Sequence, residues 1–102
     1  MWPFKKKQQP VVTQSVPLDA TFVFTIEDVF HISGAGTVIT GNIVKGEIKV
    51  GDIIKLTNGL SSAVSAIQQG SGLVDSVSMG KCGLKVDLPH KEITKGLQAY
   101  KM

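Results

Sequence analysis

From Ala20 onward, apolar and polar residues alternate along the chain with a period of two. That spacing predicts strands with one face buried and one in water. Phe22, Phe24 and Ile26 share one face and Thr21, Thr25 and Glu27 the other, with Val23 interrupting the alternation. Residues 37–44 are β-branched except for Gly41 and Asn42, and short runs follow at 47–50 and 53–56, punctuated by Gly46 and Gly51. Asn58 and Gly59 come next, a pair that supplies the two positive-φ positions of a type I′ hairpin turn. Further strands are predicted over 63–68, 73–77, 82–88 and 97–100, and only 91–95 reads as a helical turn. Many short strands with turn residues at nearly every tenth position point to an all-β domain, a sandwich or a small barrel.

The first 19 residues follow different rules. Pro3, Pro10 and Pro17, a run of three lysines and several glutamines predict an extended leader at 1–19, ahead of a single domain at 20–102. Trp2 and Phe4 beside Lys5, Lys6 and Lys7 have the makings of a weak interfacial membrane anchor. The competing reading is a solvated tail, because one short basic cluster holds a membrane poorly without a second signal. The lysines lead into Gln and Pro rather than an apolar stretch, so this is no signal peptide. The leader has the character of a natural start, which fits a free-standing small protein.

Charge changes the picture less than the net value of +3 suggests. The three leader lysines supply all of it, since the other eight lysines balance eight acids. The chain has no arginine, the usual source of bidentate phosphate and guanine contacts. A neutral, arginine-free body is a poor non-specific nucleic-acid binder. No apolar run approaches the roughly 20 residues of a membrane helix. Cys82 is the only cysteine, which excludes an internal disulfide and a Cys-x-x-Cys zinc site. A reducing, cytoplasmic setting fits this composition.

Candidate chemistry is sparse. Glu27 and Asp28 are adjacent on a strand, so they point to opposite faces and cannot work as a carboxylate pair across one substrate. Asp28 is in phase with Phe24, Ile26 and Phe30, which would bury it. A bulge that re-aims it costs less than a buried carboxylate. His31 shares the outward phase of Glu27 and Val29, His90 follows Pro89 in a loop, and no spacing connects the two. Cys82 lies between Lys81 and Gly83, where a cation could lower its pKa, although a free cysteine more commonly packs as a small hydrophobe. Gly34, Ala35 and Gly36 form a glycine triplet of the kind that cradles phosphate, but a β-branched run follows where a helix N-terminus would be needed. No triad, metal cluster, phosphate loop or cofactor motif is present, so the chain is expected to be no enzyme, to need no cofactor and to bind no GTP by itself.

Taken whole, residues 26–52, IEDVFHISGAGTVITGNIVKGEIKVGD, resemble the second domain of the translational GTPases, and elongation factor Tu most of all. The family pattern runs Ile-Glu-Asp-Val-Phe, a short gap, Gly-Arg-Gly-Thr-Val-Val-Thr-Gly, then Gly-x-Ile-x-x-Gly-Asp. A weaker likeness continues through 79–84 and 95–99, so the resemblance covers roughly residue 20 to the end. It implies a closed six-stranded antiparallel β-barrel in which Gly34, Gly36, Gly41, Gly46 and Gly51 turn the corners.

In that family the domain packs on a GTPase domain and holds the aminoacyl end of transfer RNA. By position, Glu27, Asp28 and Phe30 resemble residues around the amino-acid pocket. The chain departs from the family at three places. Ala35 stands where the family has Arg beside the RNA terminus, Gln68 replaces a Glu that contacts the terminal adenosine, and 80–83 is one residue short, without the pocket Asn. The missing guanidinium predicts a locally acidic edge at Glu27 and Asp28, hostile to an RNA terminus. The resemblance therefore implies a non-enzymatic binding module, either an accessory associated with RNA or the ribosome or a module that docks on a larger protein assembly.

Overall fold

The computed structural model describes residues 16–33 and 36–102. The leader up to residue 15, with Trp2 and the three lysines, and Gly34 and Ala35 lie outside the described residues.

Antiparallel strands make up about three-fifths of the described residues, with almost no helix. In chain order they are β1 (Phe22–Ile32), β2 (Gly36–Lys45), β3 (Ile48–Lys49), β4 (Ile53–Leu56), β5 (Ser61–Gln69), β6 (Gly72–Val74), β7 (Ser76–Val77), β8 (Lys81–Val86) and β9 (Gln98–Lys101). Pairing runs β4–β9–β1–β2–β8–β5–β6, and β4 also pairs with β5, so six strands form a ring of hydrogen-bonded neighbours. β3 and β7 pair separately, Ile48 opposite Val77, and both side chains join the core. Among the described residues no helix is long and apolar enough to cross a membrane.

The core lies inside this ring. Phe22, Phe24, Ile26, Ile39, Ile54, Leu56, Ile67 and Leu84 are fully buried there. Phe22 and Phe24 lie near-parallel at 6.3 Å between ring centroids. Val23, which interrupts the alternation, points to the other face and packs with Ala20, Tyr100 and Val16 in a second small cluster. The fold's contacts therefore reach back to Val16, ahead of the boundary expected at residue 20.

β1 changes phase at Glu27. Ile26 is opposite Gly41 and Asp28 opposite Thr40, leaving Glu27 as the extra residue of a bulge. Ile26 points in, Asp28 points out, and Val29, not Phe30, then packs against the core. Sequence phase alone put Val29 outward with His31; the bulge turns Val29 inward, while His31, near the end of the strand, stays exposed. Gly41 makes the bulge possible, because a Cβ there would lie 1.8 Å from the Thr25 carbonyl oxygen and 3.2 Å from the Glu27 nitrogen. Gly41 is thus no corner residue. It sits mid-strand, where another backbone crosses closely. Gly46 lies between β2 and β3, with φ +84° and the Thr21 carbonyl oxygen 1.9 Å from where a Cβ would be.

Three local expectations need correction. Asn58 and Gly59 do not form a type I′ turn, since no residue other than glycine has positive φ among the described residues. The Asn58 side chain accepts from the Leu60 N–H at 3.1 Å and donates to the Glu92 carbonyl at 2.8 Å. Those bonds suit a three-residue connection with Gly59 alone in the left-handed region. The run at 73–77 breaks at Asp75 into β6 and β7, which pair with different strands, and the Asp75 carbonyl accepts from the Val50 N–H. The helical turn is a 3-10 turn at His90–Glu92, one residue earlier than expected and shorter.

One ion pair ties the last strand to the β3–β4 turn. The Lys101 ammonium donates to Asp52 at 2.7 Å, and the same carboxylate accepts from the Lys49 N–H at 2.8 Å. The hydrogen bond from Lys101 holds the Asp52 carboxyl below its ordinary pKa. A carboxyl depressed in the folded state contributes stability above its unfolded value, near 3.9, and loses it as pH falls through the folded one. Asp52→Asn is expected to cost roughly 1–2 kcal/mol at pH 7 in urea denaturation, as for a hydrogen bond to a charged group. The difference from wild type should begin to shrink as pH falls below about 4 and vanish only below the depressed folded value, and a cost that stays constant down to about pH 2 would contradict this account.

Candidate functional site

Strand register builds the candidate face. Residues directly opposite one another on paired strands project to the same side. Asp28 faces Thr40, Thr40 faces Gly83, Gly83 faces Gln68, and Gln68 faces Leu73. One lateral row thus crosses five strands on the outer surface of the ring. A second row runs Phe30, Val38, Lys85 and Ala66.

Gly83 is the centre of this face. Lacking a side chain, it leaves an open depression of about 390 Å³ bordered by Glu27, Asp28, Thr40, Gln68 and Lys81. A smaller hollow of about 160 Å³ adjoins it, lined by Ile32, Val38, Ala66 and Leu73, and shares Val38, Gln68 and Gly83 with the first. One half of the face is therefore polar and the other apolar. The structure brings Glu27, Asp28 and Gln68 together around the depression and keeps half-exposed Phe30 on the same side, one row along. Ala35 and Gly34 lie outside the described residues.

The electrostatics differ from the acidic edge that the absent arginine suggested. Lys81 pairs with Glu27 at 3.3 Å and Lys95 with Asp28 at 3.5 Å. The Asn42 amide also donates to Glu27. Each carboxylate thus has its own cation, delivered by β8 and by the segment before β9. Both pairs are exposed, and such pairs are worth about 0–1 kcal/mol each, so a ligand can displace them at small cost. The backbone around Lys81 is held in place by Gln69, whose amide donates to the Met79 carbonyl at 3.0 Å and to the Lys81 carbonyl at 3.3 Å.

Sequence reasoning missed Lys81, Lys95, Thr40, Asn42, Ile32 and Leu73. For Thr40 and Asn42 the signal was available: they flank Gly41, and once a bulge is placed at Glu27 they must fall on its outward side. Nothing in the spacing could tie Lys95 to Asp28.

Cys82 is placed by the same alternation. It points opposite to Lys81 and Gly83, into the core, and burial pushes its thiol up to about 11. The neighbouring lysines do not activate it. Its reaction with a thiol reagent at pH 7.5 is expected to be at least about a hundredfold slower in the native protein than in denaturant, following the lost thiolate fraction. Equal rates in the two states would show the thiol to be open to solvent.

Known folds share this arrangement, although no family model matches the sequence. The chain is similar in structure to part of the translation elongation factors, themselves translational GTPases, as the motif at 26–52 implied. A bacterial selenocysteine-specific elongation factor, EF-Sec, superposes with a TM-score of 0.75 and 25% identity over 80% of this chain. Translation elongation factor SelB from Methanococcus maripaludis, in its apo form, gives a TM-score of 0.74 and 32% identity over 81% of the chain. The match spans 15% and 19% of those two proteins' lengths.

Proposed function

We propose that this chain is a non-catalytic, translation-related binding module, whose ring of strands is a closed six-stranded barrel of the second-domain type. Its outer face at Glu27, Asp28, Thr40, Gln68 and Gly83 takes the end of an RNA. The observation that carries the reading is the depression over Gly83, in which the residues matching the family's aminoacyl pocket by position share one face and each carboxylate has a lysine partner. Those lysines remove the repulsion that two bare carboxylates would exert on a phosphate. They also let either acid be freed to meet an ammonium group on the ligand. Similarity to part of EF-Sec and SelB supports a place in a translation assembly, and that setting is cytoplasmic. Ala35, Gln68 and the short 80–83 segment separate this face from that of elongation factor Tu and argue for a weaker hold on an RNA end.

A second reading, docking on a larger protein assembly without RNA, draws on the apolar hollow of Ile32, Val38 and Leu73 and on the absence of arginine. Salt separates the two. Binding through two lysine–phosphate contacts to single-stranded RNA should give a log–log salt slope of about −1.4, whereas apolar docking should be nearly flat.

Gly83→Val tests the site. A Cβ at 83 would meet only ordinary contacts, 3.4 Å from a Val38 methyl and 3.5 Å from a Thr40 methyl, so the fold should survive. Affinity for an aminoacylated RNA is expected to fall at least about tenfold, a loss of about 1.4 kcal/mol, with the melting temperature shifted by only a few degrees. Unchanged affinity would move the site elsewhere. Recovery of the same partners from lysate after nuclease treatment, with a flat salt dependence, would favour the protein-docking reading.

A further inference from the structure

We propose that His31 and His90 form a proton-operated clasp on the outer end of the β1–β2 hairpin. They are the chain's only histidines, 59 positions apart, yet their rings stack at 4.5 Å between centroids and 26° between planes. His31 is one residue from the end of β1, and His90 opens the 3-10 turn.

The turn is fixed on both sides of His90. Thr37, the cross-strand partner of His31, donates its hydroxyl to the Leu88 carbonyl at 2.6 Å. Asn58 holds the Glu92 carbonyl, and Ile93 is buried. The hairpin end, by contrast, is joined to β2 by Phe30–Val38, His31–Thr37 and Ile32–Gly36 pairing. The imidazole stack fastens the end of β1 directly to the turn, while β2 is held there by the Thr37 hydrogen bond to Leu88 and by its pairing with β8.

Two neutral imidazoles stack, and so do one neutral and one protonated ring. Two cations at this separation repel. The ionisable groups on the surrounding elements are Glu27 and Asp28 on β1 and Asp87, Lys91, Glu92 and Lys95 around the turn, with none on β2 between residues 36 and 44. Glu27 and Asp28 are engaged with Lys81 and Lys95, and among the described residues no carboxylate lies within ion-pairing distance of either ring. A second proton therefore finds no counter-charge.

Imidazole is the side chain whose charge changes between about pH 5 and 8. Mild acid opens the clasp and loosens the segment bearing Phe30 and Ile32, and Ile32 is a wall of the apolar hollow. The clasp thus tunes the apolar half of the face, whatever that face binds.

Hydrogen exchange of the full chain, corrected for intrinsic rates, tests this. As pH falls from 8 to 5, protection at residues 30–32 and 90–91 should drop at least tenfold while 22–26 stays unchanged. The double variant His31→Phe/His90→Phe keeps a stack but has no proton to gain, so it should lose this pH dependence. His90→Phe alone, which can take only one proton, should behave the same way, and it decides the matter if the double variant fails to melt cooperatively. The same pH response in these variants, or none in wild type, would overturn the proposal.

Discussion

Everything on the candidate face depends on one close backbone crossing, that of β1 over Gly41. With the Thr25 carbonyl occupying the space of a Cβ, position 41 admits no side chain, and the strand above it can bend sharply. That bend ejects Glu27 from the register, turns Asp28 and Phe30 to the outside and Val29 to the inside. Without it Asp28 would face the core, at a desolvation cost no partner there would offset. A single missing methyl thus decides which side of the ring carries the carboxylates.

A second glycine does complementary work on the same surface. Gly83 has ordinary backbone geometry and room for a side chain, and what it provides is an absence at the crossing point of the lateral row from Asp28 to Leu73. One glycine aims the acids, and the other makes space in front of them. Lys81 and Lys95 complete the face by setting its charge near balance, which makes geometry and not net potential its distinguishing property.

Much of this was legible in the order of residues, for identifiable reasons. Two-residue alternation and glycine spacing determine strands because the pleat is local, and the motif at 26–52 carried the resemblance to translation factors. The buried carboxylate that simple alternation implied at Asp28 was itself the sign of a bulge. What stayed hidden depends on approaches between distant segments. His31 meets His90, Asp28 meets Lys95, and Asn58 reaches Glu92, all through a turn whose position follows from ring closure. The Asn58 bond to Glu92 also explains the failure of the type I′ expectation, since a tertiary contact overrode a local dipeptide preference. The break at Asp75 has the same origin: β3 draws β7 away from β5.

The pairing of β1 with β9 has a kinetic side. It joins residues more than seventy positions apart, with Phe22 opposite Lys101 and the Thr21 N–H bonded to the Lys101 carbonyl at 2.7 Å. Such long loops must close before the contacts reward them, which places the domain among slow folders, on the millisecond-to-second scale typical of non-local β topologies. During synthesis β1 and β2 emerge early, yet the open flank of β1 has no strand to cover it until residues 98–101 are made. For that interval an apolar strand edge faces the cell unpaired, so the last strand to appear also shields the nascent chain from aggregation.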